Sequence, residues 1–153
     1  MKKIATITLV LLLGIGLVGT AIAENATQAE CIAKSKEAAQ MINDKGLDAA
    51  ISEINNKNGQ FVWKDTYVFL MDLDGTMLAH PIKPSLIGKN LLATPDTEGK
   101  MFFVDFVEVA KNQGEGWVDY MWPKVGQEGP SPKTSYIYRV PGKNLLVGAG
   151  IYK

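Results

Sequence analysis

Residues 4–18 form an apolar run broken only by threonine and glycine, with Lys2-Lys3 before it and Ala21-Ile22-Ala23 after it. A basic start, an apolar stretch and a small-x-small end predict a secretory signal peptide over residues 1–23, cleaved after Ala23. The run is short for a spanning helix, and an uncleaved amino-terminal anchor is the other reading. A lipid anchor would need a cysteine at the cleavage point, whereas the one cysteine, Cys31, lies eight residues beyond it.

After the leader the pattern becomes amphipathic. Thr27-Gln28-Ala29-Glu30 has the form of a capping box, and a helix is predicted from there to about Lys45, stopped by Gly46. Leu47, Ala50, Ile51 and Ile54 recur at helical spacing and predict a second helix, ended by the polar run 55–59. Residues 61–73 are dense in aromatic and β-branched side chains and read as one strand, with Tyr67, Phe69, Met71 and Leu73 on one side. Asp74-Gly75 then reads as a two-residue hairpin turn. That turn sets a register in which Leu73 faces Thr76, Asp72 faces Met77, Met71 faces Leu78 and Phe69 faces His80.

Residues 81–99, punctuated by proline and glycine, form a long loop of the kind that is usually functional or mobile. A short helix is predicted over residues 100–112, then strands over 116–122, 134–140 and 145–152, with a turn at Pro141-Gly142-Lys143-Asn144. Strands joined by turns, with helices gathered before and between them, predict an α+β fold with an antiparallel sheet of about five strands.

Removing the leader leaves 130 residues, enough for one domain with its own core, residues 24–153. The full chain carries 16 basic and 16 acidic residues; the leader holds two of the lysines, so the remainder has a net charge of −2. That balance gives no footprint for nucleic acid or for an anionic membrane. One cysteine permits no internal disulfide, and Cys31, inside the first predicted helix, reads as a small buried apolar residue. Oligomeric state is not legible, and the pattern implies no cofactor.

Asp72-Leu73-Asp74-Gly75-Thr76 after an apolar run resembles the nucleophile signature of haloacid-dehalogenase-type phosphatases, with Asp72 as nucleophile and Asp74 as acid. Such an enzyme needs a parallel sheet with the motif at a strand's carboxyl end, whereas here a second strand starts at once. The later acids, from Asp96 to Glu128, form no Asp-Asp or Gly-Asp-x-x-x-Asp group to hold magnesium. The hairpin reading is therefore preferred. One histidine and one cysteine give no metal-ligand spacing, and Cys31 and His80 lack anything to bring them together as a nucleophile pair. Gly148-Ala149-Gly150 has no following helix and is not a phosphate loop.

The runs Gly116-Trp117-Val118-Asp119-Tyr120-Met121-Trp122-Pro123-Lys124, Pro132-Lys133-Thr134-Ser135-Tyr136 and Leu146-Val147-Gly148-Ala149-Gly150-Ile151-Tyr152 occur in order with Asp72-x-Asp74-Gly75, His80-Pro81 and Leu86-Ile87-Gly88-Lys89-Asn90. Together they resemble the single Cache domain family, extracytoplasmic sensor domains of bacterial chemoreceptors and histidine kinases, over about residues 28–153. The resemblance implies a PAS-like fold, a long amino-terminal helix on a central antiparallel sheet. It also implies a small organic anion, such as a short carboxylate, bound between the sheet and the loop-helix segment. It differs from the usual relatives in that no membrane helix or signalling module follows Lys153, so a stand-alone periplasmic or secreted binding protein is expected, with a membrane-bound receptor or transporter as partner. A protein-interaction module with a vestigial pocket is the other non-enzymatic reading.

A carboxylate site needs an apolar wall and a few inward donors. His80 on the face of Tyr67, Phe69 and Met71 could donate, with pH-dependent charge, or be a satisfied structural histidine. Tyr120 and Trp122 share a face with Val118 and suit pocket walls or core packing. Lys133, otherwise a solvated lysine, is a candidate cation, and Arg139, of the same parity, is the other, suited to bidentate carboxylate binding. Tyr136 can share a pocket with Lys133 only if Lys133 precedes the regular strand, since alternation puts them on opposite faces. Phe103, with Phe102, could close the site from the helix or fill the core. The expected ligand site is thus His80, Tyr120, Trp122, Lys133, Tyr136, Phe69, Met71, Phe103 and Arg139.

Overall fold

The structure, a computed structural model, describes residues 24–153. The leader expected over residues 1–23 lies outside the described residues.

Helix α1 spans Gln28–Lys45 and opens on the expected capping box. The Glu30 amide donates to Thr27 Oγ1 (3.2 Å) and the Thr27 amide donates to Glu30 Oε2 (2.8 Å), so two of the donors left over at the helix start are satisfied. Cys31, Ser35, Ala38, Ala39 and Ile42 recur every three or four residues and form its buried stripe. Gly46, at φ +89°, turns the chain into α2, Leu47–Asn55, which buries Ala50 and Ile54.

The expected single strand 61–73 is two strands, β1 (Val62–Trp63) and β2 (Thr66–Asp72). Lys64, at φ +47°, and Asp65 make a tight turn that sets Trp63 opposite Thr66. Lys64 reaches Glu24 and Glu30, and Asp65 accepts from the Ala26 amide, so the turn is tied to the start of α1. Strand β3, Met77–Ala79, returns along β2. Leu70 faces Ala79 as the register predicts, but Met71 faces Met77 and a bulge absorbs the difference. The cause is the turn. The Asp72 amide bonds to Thr76 O and the Gly75 amide to Asp72 O, with Gly75 at φ +93°, so the loop holds three residues rather than two.

Residues 88–91 lie along β3, held by backbone bonds from Gly88 to Met77, Met77 to Lys89 and Leu91 to Gly75. The long loop is therefore pinned at its middle. Helix α3 (Phe102–Asn112) follows, then β4 (Glu115–Pro123), β5 (Pro130–Arg139) and β6 (Leu145–Tyr152). The described strands form one six-stranded antiparallel sheet in the order β1-β2-β6-β5-β4, with β3 on β2. The fold is α+β, with one strand more than expected because the first divides.

Alternation along β2 gives the sheet two cores. Val68 and Leu70 pack with Cys31, Ile42 and Ile54 under α1 and α2. Tyr67, Phe69 and Met71 pack with Phe102, Phe106 and Tyr120 under α3 and the long loop.

Candidate ligand-binding site

The second core does not close fully. Tyr67 and Phe69 of β2, Met77 of β3, and Tyr120 and Trp122 of β4 form its sheet wall, and Phe102, Phe103 and Phe106 of α3 form its roof. His80 closes one side, and the remaining gap is about 10 Å³, room for about one water. The rings are packed, with Phe102 stacked on Tyr120 at 4.3 Å and Phe103 at 4.0 Å from Phe102.

His80 directly follows β3, and only 3 % of its surface is exposed. Its amide donates to Asn55 Oδ1 at the end of α2, and its Nδ1 accepts from the Lys83 amide at 3.0 Å. With Nδ1 accepting, the proton of the neutral ring sits on Nε2. The ring lies 4.8 Å from Tyr67, 6.2 Å from Trp122 and 6.5 Å from Phe69. Burial, with Lys133 and Lys83 adding to it, pushes its pKa down to about 3. The site therefore holds a neutral donor at neutral pH, not the titrating charge that an ordinary histidine would bring.

Among the described residues Lys133 is the only buried lysine, with 1 % of its surface exposed. It stands inside β5, between Tyr120 and Tyr152 of the neighbouring strands. Its Nζ lies 4.3 Å from the Tyr67 ring centre and 4.7 Å from that of Tyr152, a cation–π arrangement. Among the described residues Nζ has no hydrogen-bond partner. Desolvation pushes its pKa down to about 7.

The glycines beside it explain how so long a side chain fits. A Cβ on Gly150 would lie 2.2 Å from Ser135 Oγ and 2.9 Å from Lys133 Cε, and one on Gly148 would lie 2.5 Å from Phe69 Cζ. Both glycines face the aromatic core, and Ala149 between them faces the helical one. Gly148-Ala149-Gly150 is thus a place of close approach for side chains. The remaining polar tips are held: Tyr120 OH with Ser135 Oγ at 2.9 Å, Trp122 Nε1 donating to Tyr67 OH at 2.9 Å, and Tyr152 OH donating to Pro123 O at 2.8 Å.

The structure brings His80, Phe69, Phe103, Tyr120 and Trp122 together and sets Lys133 at their edge. Met71 is buried in the same core but does not reach the gap. Tyr136 is on the other face, against Trp117 and bonded to Glu115, because Lys133 lies within the regular strand and the two differ in parity. Arg139 is exposed at the far end of β5, six residues and about 20 Å from Lys133. Tyr67, expected on the His80 face, and Phe102, expected beside Phe103, also line the gap, whereas Met77, Phe106, Ser135 and Tyr152 were not expected as site residues. Parity would have reached Ser135, two residues from Lys133, and Tyr152, two from Gly150.

Asp72 Oδ1 accepts from the Asp74 amide (3.0 Å) and the Thr76 amide (2.7 Å), so it shapes the hairpin loop. Asp74 accepts from Asn144 Nδ2 at 3.1 Å. Both carboxylates of the phosphatase signature thus serve a turn between antiparallel strands. Cys31 lies in the helical core with its thiol pushed up to about 12 by burial, across the sheet from the aromatic core that holds His80. Among the described residues no three His, Cys, Asp or Glu side chains gather as a metal site.

Aromatic rings thus enclose a small gap between the antiparallel sheet and the loop-helix segment, with one buried lysine at its edge. The profile of the Cache domain family matches residues 20–153, and the chain belongs to that family. It is 38% identical over 88 residues to the methyl-accepting chemotaxis protein McpP of Pseudomonas putida, a match covering 58% of this chain and 16% of that one. The chain therefore spans only a small part of that relative's length. Among solved structures, a Cache chemosensory domain described for its carboxylic acid recognition superposes with a TM-score of 0.69 at 26% identity, covering 81% of this chain and 91% of the other. A periplasmic sensor domain of a chemotaxis protein gives a TM-score of 0.66 at 28% identity, covering 81% and 88%.

Proposed function

We propose that this domain is a non-enzymatic extracytoplasmic binding module whose ligand is a short organic acid. The observation that supports it is Lys133: a buried amine with no hydrogen-bond partner among the described residues, set at the edge of a cage in which no lining residue is acidic. Burying an unpaired amine is costly, and a carboxylate would relieve that cost by ion pairing with it. His80 Nε2 offers a neutral donor, and the rings accommodate a short carbon chain. The similarity to a Cache domain known for carboxylic acid recognition supports the ligand class.

A thermal-shift series with short carboxylates, on protein refolded to strip copurified ligand, tests the reading. Ligand at a hundred times its Kd adds about 2.7 kcal/mol of stability, so the melting temperature rises with concentration. No shift with any short acid sinks it. We further propose that the liganded domain acts on a membrane-bound receptor or transporter. Loss of the cell's response to that acid on deleting the gene checks this.

One observation favours a second reading, an interaction module with a vestigial pocket: the gap of about 10 Å³ is filled by its own side chains. A structure determined with a soaked carboxylate separates the two, since a vestigial pocket stays filled.

A further inference from the structure

A gap of one water's volume cannot admit an acid of several atoms, so a wall must move for ligand to enter. The sheet wall is hydrogen-bonded within the sheet. The roof is not, because it hangs on the segment 95–100 that leads into α3 and carries Phe102 and Phe103.

One carboxylate pins that segment. Asp96 Oδ1 accepts from the Glu98 and Lys100 amides, each at 2.9 Å, and its Oδ2 accepts from the Met121 amide, also at 2.9 Å. The Met121 amide belongs to β4, the edge of the sheet, so Asp96 ties the strap's backbone turn to that edge. Beside it Lys100 Nζ donates to Asp119 O, and Lys153 Nζ pairs with Asp119 Oδ2 at 3.0 Å. Under this strap lies a cavity of about 380 Å³ whose lining includes Lys133 and Tyr120. Tyr120 is also a wall of the aromatic cage, and the Lys133 amine lies over Tyr67, another of its walls. The cavity thus abuts the buried site on the side of its one cation, and its lining pairs Lys100 and Lys153 with the carboxylates of Asp96, Glu98 and Asp119.

We infer that this cavity is the ligand's way in, and that Asp96 is a positioning residue that holds the strap, and through it Phe102 and Phe103, closed over the cage. The inference rests on the cage being a ligand site, and two separate measurements keep the two ideas apart.

The first needs no ligand. In Asp96→Ala, amide hydrogen exchange across residues 102–106 rises about tenfold while α1 and β6 keep their protection. The second uses acetate and the fluorescence of Trp122, the tryptophan that lines the cage. Association and dissociation both speed up by about tenfold and Kd moves less than about twofold, whereas loss of a mere structural contact raises dissociation alone. Asp96→Asn, which keeps one acceptor oxygen, restores much of the slow exchange and slow kinetics. Unchanged exchange at 102–106, exchange raised equally over the whole sheet, or a weaker Kd from dissociation alone each overturns the latch. If acetate fails to bind the unaltered protein, the acetate reading of the cage falls, and exchange at 102–106 alone decides whether Asp96 holds the roof.

Discussion

If Lys133 is the anion's partner, as proposed, one side chain carries the conflict between stability and binding. A lysine held near pKa 7 instead of 10.5 is disfavoured as a cation wherever the unfolded chain would be protonated. Lys133→Met keeps the stem and removes the amine. At pH 6 the ligand-free variant should melt roughly 5–10 °C higher, since relief of a buried unpaired charge is worth several kcal/mol. It should also lose its response to short carboxylates. A variant that melts lower yet still binds would place the anion elsewhere. His80→Ala should weaken binding about tenfold or more by removing the Nε2 donor, while Asp72→Asn, whose amide oxygen can still serve the hairpin, should leave affinity within about twofold. Calorimetric titration with the same acid reads both. The reverse order of effects would mean that the working face of the hairpin is the other one.

At the scale of elements, the hairpin shows what the chain makes legible. Alternation of Tyr67, Phe69 and Met71 against Val68 and Leu70 assigns both faces of β2 correctly, because side-chain parity is fixed by the backbone. The turn is not legible to the same precision. Asp74-Gly75 suits a two-residue loop, yet Asp72 takes the Asp74 and Thr76 amides and closes a three-residue one, and the difference reappears as the bulge between Leu70 and Met71. The one-residue error does not invert the faces because the bulge restores the register at Ala79. Parity likewise separates Tyr136 from Lys133, and the sequence shows that separation once Lys133 is known to lie inside β5. What no local pattern shows is partnership across strands. Tyr152 meets Lys133 through the β5–β6 register, and Phe102 meets Tyr120 through the docking of α3. Gly75→Ala tests the hairpin. Gly75 sits at φ +93°, and an added Cβ would lie 2.3 Å from Leu92 Cγ. Strain and displaced packing together should cost about 2–3 kcal/mol in chemical denaturation. A cost below about 0.5 kcal/mol would mean that the loop between Asp72 and Thr76 is not held as described.

The whole domain is a single sheet between two cores of different character: one apolar and helical, the other aromatic with a neutral histidine and a stranded amine. That asymmetry should appear in stability against pH. His80 has a folded pKa of about 3 against an ordinary 6.5, so between those values the unfolded chain binds more protons and stability rises with pH. Lys133 repeats this between about 7 and 10.5, where the folded domain has shed a proton that the unfolded chain keeps. Each window contributes up to about 1.4 kcal/mol per pH unit. Above about 9 the Cys31 thiol, and above about 10 Tyr67, Tyr120, Tyr136 and Tyr152, all held protonated by burial, oppose and then reverse the slope, because the unfolded chain loses protons that the folded one retains. Ligand-free protein should therefore be most stable on the alkaline side, near about pH 9–10, where domains commonly peak between about 5 and 8. A bound carboxylate holds Lys133 protonated and raises its pKa, so saturating acid should remove the alkaline gain and move the maximum towards neutrality. By the same linkage, affinity should fall about tenfold per pH unit above about 7. Denaturation midpoints from pH 5 to 10, with and without acid and in Lys133→Met, measure all three effects. An alkaline rise that persists in Lys133→Met would assign it to some group other than the buried amine.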